Sequence, residues 1–323
     1  MDLDTILANI LSPAALFFFL GFAAVLVRSD LEIPHPLPKF FSTYLLISIG
    51  YQGGTKLAAS GLTSEVALYV TAAMAMALLV PFATFFALRR ILNVYDAAAM
   101  AATYGSISIV TFIVASDFLA KRGIESGGYM VAIMSLMETP AIIAGILLVQ
   151  IFARDNSAPA DWRKLLHEAF FNGTVFLLLG SLVVGILTGN AHAKSLDPFM
   201  VGLFKGMVLL FLLDTGMLAA RRAGELLRVG PALVVFGIVA PVLNGLVGMG
   251  LAWLIGMGPG DALLFTLLCA SSSYIVVPAA MRQAIPQANP GLFELLSLSV
   301  TFPFNIVVGI PVFFLLVQRL WGM

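Results

Sequence analysis

Stretches of apolar residues long enough to cross a bilayer recur along almost the whole chain, and no other feature narrows the possible folds as much. They run at about 11–28, 36–53, 64–89, 95–117, 128–153, 168–188, 197–218, 229–256, 260–280 and 291–317, with Gly, Pro and charged residues in the gaps. A spanning helix needs roughly 20 mostly apolar residues. Charged residues make up only 11% of the chain and apolar ones 60%, against about 25% charged in a soluble domain. Too little polar surface is left to clothe a water-soluble core of this size. The sequence therefore predicts an all-α integral membrane protein with ten transmembrane helices. A net charge of zero gives no electrostatic footing for nucleic acid or an acidic macromolecule. Cys269 is the single cysteine, which excludes an internal disulfide and a cysteine metal cluster. The acidic start Met1-Asp2-Leu3-Asp4 lacks the basic n-region of a secretory signal, so the first apolar segment is expected to be kept as a helix.

Loop charges orient the chain. Gaps after odd-numbered segments hold eleven cations: Arg28, Lys39, Arg89, Arg90, Arg154, Arg163, Lys164, Arg221, Arg222, Arg228 and Arg282. The other side holds five: Lys56, Lys121, Arg122, Lys194 and Arg319. The positive-inside rule puts the eleven in the cytoplasm, with both termini outside and the polar connection 154–167 inside. That connection divides the chain into similar halves, 1–153 and 168–323. "FFFLGFAAVL" (17–26) resembles "FLLLGSLVVG" (176–185), and "METPAIIAG" (137–145) resembles "VTFPFNIVVG" (300–309) with a one-residue slip. "DAAAMAATYGSISIVT" (96–111) aligns without a gap on "DALLFTLLCASSSYIV" (261–276). Each half carries an odd number of helices, five, so the second enters the membrane inverted. Inverted repeats with broken helices are a signature of secondary transporters.

The aligned breaks are Gly105-Ser106-Ile107-Ser108-Ile109-Val110-Thr111 in the fourth helix and Ala270 to Pro278, with Ser271, Ser272, Ser273 and Tyr274, in the ninth. Serine in a membrane helix often bonds its own i−4 carbonyl or a neighbouring helix, and one serine alone reads that way. Two matched clusters, one beside a proline, point instead to a lined cavity, because open backbone in hydrocarbon costs several kcal/mol. Helix N-termini at such breaks offer N–H groups to a small anion. Freed carbonyls and hydroxyls there, Ser108 and Ser273 among them, suit Na⁺. Glu138 lies well inside the fifth helix beside Thr139 and Pro140. A carboxylate at that depth is a functional candidate, as a cation ligand or proton acceptor, or else a satisfied structural pair. Its counterpart in the second half is Thr301, near Pro303 and Asn305, which offers neutral oxygens.

Other polar residues point less sharply. Asp214 and Lys205 are expected towards the ends of the seventh helix, snorkelling or meeting another subunit. "LAARRAGELL" (218–227) reads as a cytoplasmic helix end facing water or lipid phosphate. His35, His167 and His192 fall in or beside loops without metal spacing. No G-x-S-x-G elbow, H-E-x-x-H or Walker motif occurs, so the chain is not read as an enzyme, and transport would run on an ion gradient.

Over nearly its whole length the sequence resembles the sodium-dependent bicarbonate transporters of bacteria (the SbtA type). The most specific piece is "CASSSYIVVPAAMRQAIPQANP" (269–290); "YGSISIVT" (104–111), "METPA" (137–141) and "LFKGMVLLFLLDTGMLAARRAGEL" (203–226) add to it. The resemblance implies ten helices in two inverted repeats, a core domain sliding against a gate domain, a homotrimer in the bacterial inner membrane, and elevator-type cotransport of Na⁺ with bicarbonate. It implies that Gly105, Ser106, Ser108 and Thr111 face Ser271, Ser272 and Ser273 around the anion. In some members a PII-like protein docks on the cytoplasmic face. Where the family has Asp-Ile-Ser-Gly after the serines, this chain has Tyr274, Ile275, Val276 and Val277, and Ile109 and Val110 replace a small pair in the first break. A carboxylate is lost and a phenol able to donate to an anion is gained. Three other readings stay open: another small anion or a proton-coupled one using Glu138, a receptor that kept the fold and lost transport, and an intramembrane serine hydrolase for which no base stands near.

Overall fold

A computed structural model describes residues 11–34, 36–61, 63–153, 173–225 and 229–322. The 154–167 connection, residues 1–10, His35 and His167 lie outside them. Every regular element among the described residues is helical. In chain order they are α1 (Pro13–Leu26), α2 (Leu37–Ser60), α3 (Ser64–Leu88), α4 (Val94–Gly105), α5 (Ile109–Ala120), α6 (Tyr129–Phe152), α7 (Gly173–Asp197), α8 (Phe204–Ala223), α9 (Pro231–Leu254), α10 (Pro259–Cys269), α11 (Val276–Ala284) and α12 (Pro290–Trp321). Six stretches are long and apolar enough to cross a membrane: α3, α4 with α5, α6, Ser195–Ala223, α9 and α12. The protein is a multi-pass membrane protein.

Local signals set the helix starts. Ser12, Thr63 and Asn93 each accept a first-turn N–H into the side chain, filling donors that a helix start leaves open. Proline stands in the first turn of α1, α9, α10 and α12, where its missing N–H costs nothing. Two helices differ from the sequence expectation. The seventh element runs on to Asp197 because the backbone bends at Gly189, with φ 55°, and then resumes; glycine adopts that left-handed turn without strain. Helix α8 continues to Ala223, so Asp214 sits in mid-helix, not towards an end as expected. α12 carries two wide turns, Ser297–Thr301 and Asn305–Gly309, either side of Pro303; such π turns concentrate at functional sites.

Packing gathers the helices into two groups. α1 lies along α8 and α2 along α7, while α3, α4 and α6 pack together and α9 packs on α10. Small residues set the closest approaches, as expected where lipid offers no hydrophobic drive between helices. Gly21 of α1 rests on the Leu213 carbonyl of α8, and Gly216 of α8 returns the contact to the Phe18 carbonyl. Gly50 and Gly54, one turn apart on α2, meet the α7 backbone at Leu178 and Leu182. The broken pair α4–α5 is the most enclosed of the six candidate spans, with 94% of its apolar window buried. Gly216→Val should destabilise the detergent-solubilised protein by about 3 kcal/mol, at the upper end of overpacking. Gly206→Ala on the same helix, where an added Cβ meets open space, should hold or raise the melting temperature; a comparable loss in both would contradict backbone contact at Gly216.

Candidate functional site

Two helices stop inside the protein and restart a few residues on, and the two interruptions meet. Between α4 and α5 the chain is extended at Ser106 and Ser108; between α10 and α11 it is irregular from Ala270 to Ile275. The Ser273 N–H donates to the Thr103 carbonyl at 3.0 Å, one of the orphan acceptors that end α4. The Ser108 N–H donates to Ser271 Oγ at 2.9 Å. In the gap-free alignment Ser108 and Ser273 are counterparts, so the paired amides cross into each other's break. Both hydroxyls also cap the helix that follows. Ser108 Oγ accepts from the Thr111 N–H at 3.2 Å and lies 2.9 Å from Thr111 Oγ1. Ser273 Oγ accepts from the Val277 N–H at 3.2 Å.

The starts of α4 and α10 are tied in the same reciprocal way. Asp96, in the first turn of α4, accepts the Asn289 N–H at 2.7 Å. Asp261, in the first turn of α10, accepts the Gly127 N–H at 2.7 Å and the Tyr129 hydroxyl. Each half's aspartate thus holds the loop that leads into the other half's last helix. Both aspartates open the aligned stretches, yet sequence reasoning gave them no role. Their shared position was the available signal.

Around the crossing, some polar groups are engaged and others are not. The Ser271 hydroxyl donates to the Leu268 carbonyl at 3.0 Å, and Asn305 Nδ2 donates to the Ala270 carbonyl at 2.8 Å, so the end of α10 is satisfied. The Thr301 hydroxyl donates to the Gly237 carbonyl at 2.7 Å, which Pro241 leaves without its usual helical donor, and lies 2.8 Å from the Tyr104 hydroxyl. In contrast Ser106 Oγ, Ser272 Oγ, the Tyr274 hydroxyl and Asn305 Oδ1 are buried without a hydrogen-bond partner. The Tyr274 hydroxyl approaches that of Ser108 but falls short of a full hydrogen bond. An unsatisfied buried polar group costs about 1–3 kcal/mol. Four of them, in or bonded to two touching breaks, are suited to a polar ligand.

The expected site residues divide accordingly. Ser106, Ser108, Thr111, Ser271, Ser272, Ser273 and Tyr274 come together, with Asn305 beside them. Gly105 closes α4 against the Pro81 ring. Thr301 is engaged in repairing α9. Glu138 is 2% exposed in mid-α6 and has no ion pair or hydrogen bond among the described residues. Its helix packs on α4, α10 and α11.

Two cavities flank the crossing, at opposite ends of α2 and α8. The larger, about 900 Å³, takes Pro38–Leu46 and the Leu218–Arg222 end of α8. The smaller, about 410 Å³, takes Ile49–Lys56 and the Phe204–Lys205 end. Tyr274, Ile275 and Val276 of the second break line the larger cavity together with Asp214. Also in its wall, buried Glu294 accepts from Arg222 of α8 at 2.9 Å and from Arg282 of α11. Arg222, expected to face water or lipid phosphate, is instead paired with Glu294 of α12, and sequence reasoning gave Glu294 no role.

Ser272→Ala removes a hydroxyl with no partner in the protein, so thermal stability should hold or rise. Affinity for a bound anion should fall about 10–100-fold, the weight of one charge-assisted bond of about 1.5–3 kcal/mol. Ser108→Ala should instead lower stability by about 1 kcal/mol through the lost cap. Calorimetry and melting on both variants separate these outcomes.

A family model described as the Na⁺-dependent bicarbonate transporter superfamily matches residues 13–318. No curated protein matches the chain.

Proposed function

The chain belongs to the Na⁺-dependent bicarbonate transporter superfamily, and from that membership we propose that it imports bicarbonate by Na⁺-coupled secondary transport, with the anion held where the two breaks cross. The observation that carries this reading is the group of buried, unpartnered oxygens at Ser106, Ser272, Tyr274 and Asn305. Hydroxyls and first-turn N–H groups of α5 and α11 donate to the anion. Neutral donors are strong in a low-dielectric site, and they bind a small oxyanion without the grip of an arginine. Among the described residues no three His, Cys, Asp or Glu side chains gather, so the co-transported cation is held mainly by neutral oxygens. Asn305 Oδ1 and the hydroxyls of Ser108 and Ser273 provide these, with Thr301 and Glu138 further out. Such a hard-oxygen set suits Na⁺.

The two five-helix halves, 1–153 and 168–323, form inverted repeats in this reading. The Asp96–Asn289 and Asp261–Gly127 bonds, each 2.7 Å, support it, since they interchange the halves. Elevator motion would carry α3–α6 and α9–α12 past the glycine-packed group α1, α2, α7 and α8, from the outer to the cytoplasmic face of a bacterial inner membrane. A homotrimeric assembly and a PII-like partner on that face extend the same reading.

One observation favours proton coupling as a second reading. Glu138 is buried without a cationic partner, so it can carry a proton across. Proteoliposomes given labelled bicarbonate in the external medium under an imposed Na⁺ or pH gradient decide between them. Na⁺-driven uptake is expected, and Glu138→Gln should slow it without abolishing it. Uptake that ignores Na⁺ and stops in Glu138→Gln would replace Na⁺ with the proton. No uptake under either gradient would sink bicarbonate transport.

A further inference from the structure

Of the two cavities, one touches the crossing and the other does not. The larger cavity touches the second break through Tyr274, Ile275 and Val276. The smaller cavity reaches Phe112 in α5 but no residue of either break. Of the three, Tyr274 alone belongs to both compartments. The residue is partly exposed and lines the cavity, while its hydroxyl is buried. Behind it, Ser272 and Ser273 are 2% and 3% exposed. The ring is held edge-on to Phe302 of α12, centroids 5.4 Å apart at 61°. Its counterpart in the first break is Ile109, which has no polar tip.

We infer that Tyr274 is the gate on the Arg222–Arg282 side: its ring is the barrier between the large cavity and the paired breaks. Three features make it suited to that task. The phenol tip is buried without a hydrogen-bond partner among the described residues, so no bond ties it in the closed position. The edge-to-face contact with Phe302 and the ring's packing against the core define the closed position. The cavity, at about 900 Å³, has room for the ring when it swings out. A rotamer change of one aromatic side chain then suffices to open the site, with no helix movement. Swinging out also withdraws the hydroxyl from Ser108, so opening and loss of one donor to the anion coincide. A gate of this kind links release to access.

This inference rests on the crossing being the binding site, but its test does not depend on transport. In a Cys269→Ala background, a Ser272→Cys reporter is placed behind the ring and an Ile275→Cys reporter in the cavity, where Ile275 is 40% exposed. Each is labelled with a membrane-impermeant methanethiosulfonate applied from the side of Arg222 and Arg282, in vesicles of both orientations. With Tyr274→Ala the Ser272→Cys rate should rise at least about tenfold, as when a buried thiol becomes accessible. With Tyr274→Phe, which keeps the ring, it should stay within about twofold of the parent on the same grounds of access. Ile275→Cys should label alike in all three. Equal Ser272→Cys rates with and without the ring would overturn the gate, as would a Phe variant as open as the Ala variant. A parallel rise at Ile275→Cys would mean a generally loosened wall and would also overturn it. Bicarbonate uptake failing in the parent while these labelling results hold would dismiss the substrate and keep the gate.

Discussion

Hydrocarbon offers a backbone no hydrogen-bond partner, and a helix that stops halfway across a membrane must find its partners within the protein. This protein stops two helices and lets each complete the other. The Ser273 N–H fills a terminal carbonyl of α4, the Ser108 N–H takes the Ser271 hydroxyl, and Asn305 takes the carbonyl of Ala270. Everything else about the architecture follows from keeping that crossing sealed. The α4–α5 stretch is surrounded by helices, Gly105 lies flat against Pro81, and Asp96 and Asp261 tether the starts of α4 and α10. Neither break is a viable membrane element without the other.

The crossing is symmetric in backbone and asymmetric in chemistry. On the α5 side a serine and a threonine share the cap, Ser108 with Thr111. On the α11 side the cap is Ser273 alone, and Pro278 removes a further donor. Tyr274 stands where the first half has Ile109, so only one approach carries a polar aromatic at its inner wall. The cavity on that side also holds the one ion-paired cluster that joins the two helix groups among the described residues. Glu294 is bonded there by Arg222 from α8 and by Arg282 from α11. A buried carboxylate with two arginines can release one without being left uncompensated, and losing the last partner is the step that costs several kcal/mol. The contact between the groups is therefore breakable by construction.

How much of this was legible in the sequence depends on what the sequence has to encode. Helices lie over all ten apolar stretches, and the quoted breaks fall on the interruptions at Ser106–Ser108 and Ala270–Ile275. Both follow from local composition: hydrocarbon length, serine runs and proline. Rotation about the helix axis is different. A membrane helix is apolar on all sides, so the pattern that tells a soluble helix which face to bury is missing. That is why Asp214 could not be seen to line a cavity, nor Thr301 to mend the gap that Pro241 leaves at Gly237. It is also why Arg222 and Arg282 read only as cytoplasmic charges, with no sign of Glu294 between them. The extension of α7 beyond residue 188 turned on Gly189, which composition marks as a stop and the backbone uses as a bend.

The serines that first drew attention divide into two kinds once their bonds are known. Ser108, Ser271 and Ser273 hold the breaks together, and their hydroxyls are already engaged. Ser106 and Ser272 are as deeply buried yet bond nothing in the protein. Burial without a bond is unfavourable for folding, so a serine there is retained at some expense to stability, whereas a serine that caps a helix stabilises it. In the proposed reading, donation to the anion thus rests on fewer hydroxyls than the run Ser271-Ser272-Ser273 suggests. A transported ion must be held firmly enough to displace its water and loosely enough to leave. In the proposed site, two free hydroxyls, one phenol and the N–H groups of two short helices are a set of neutral donors suited to both demands.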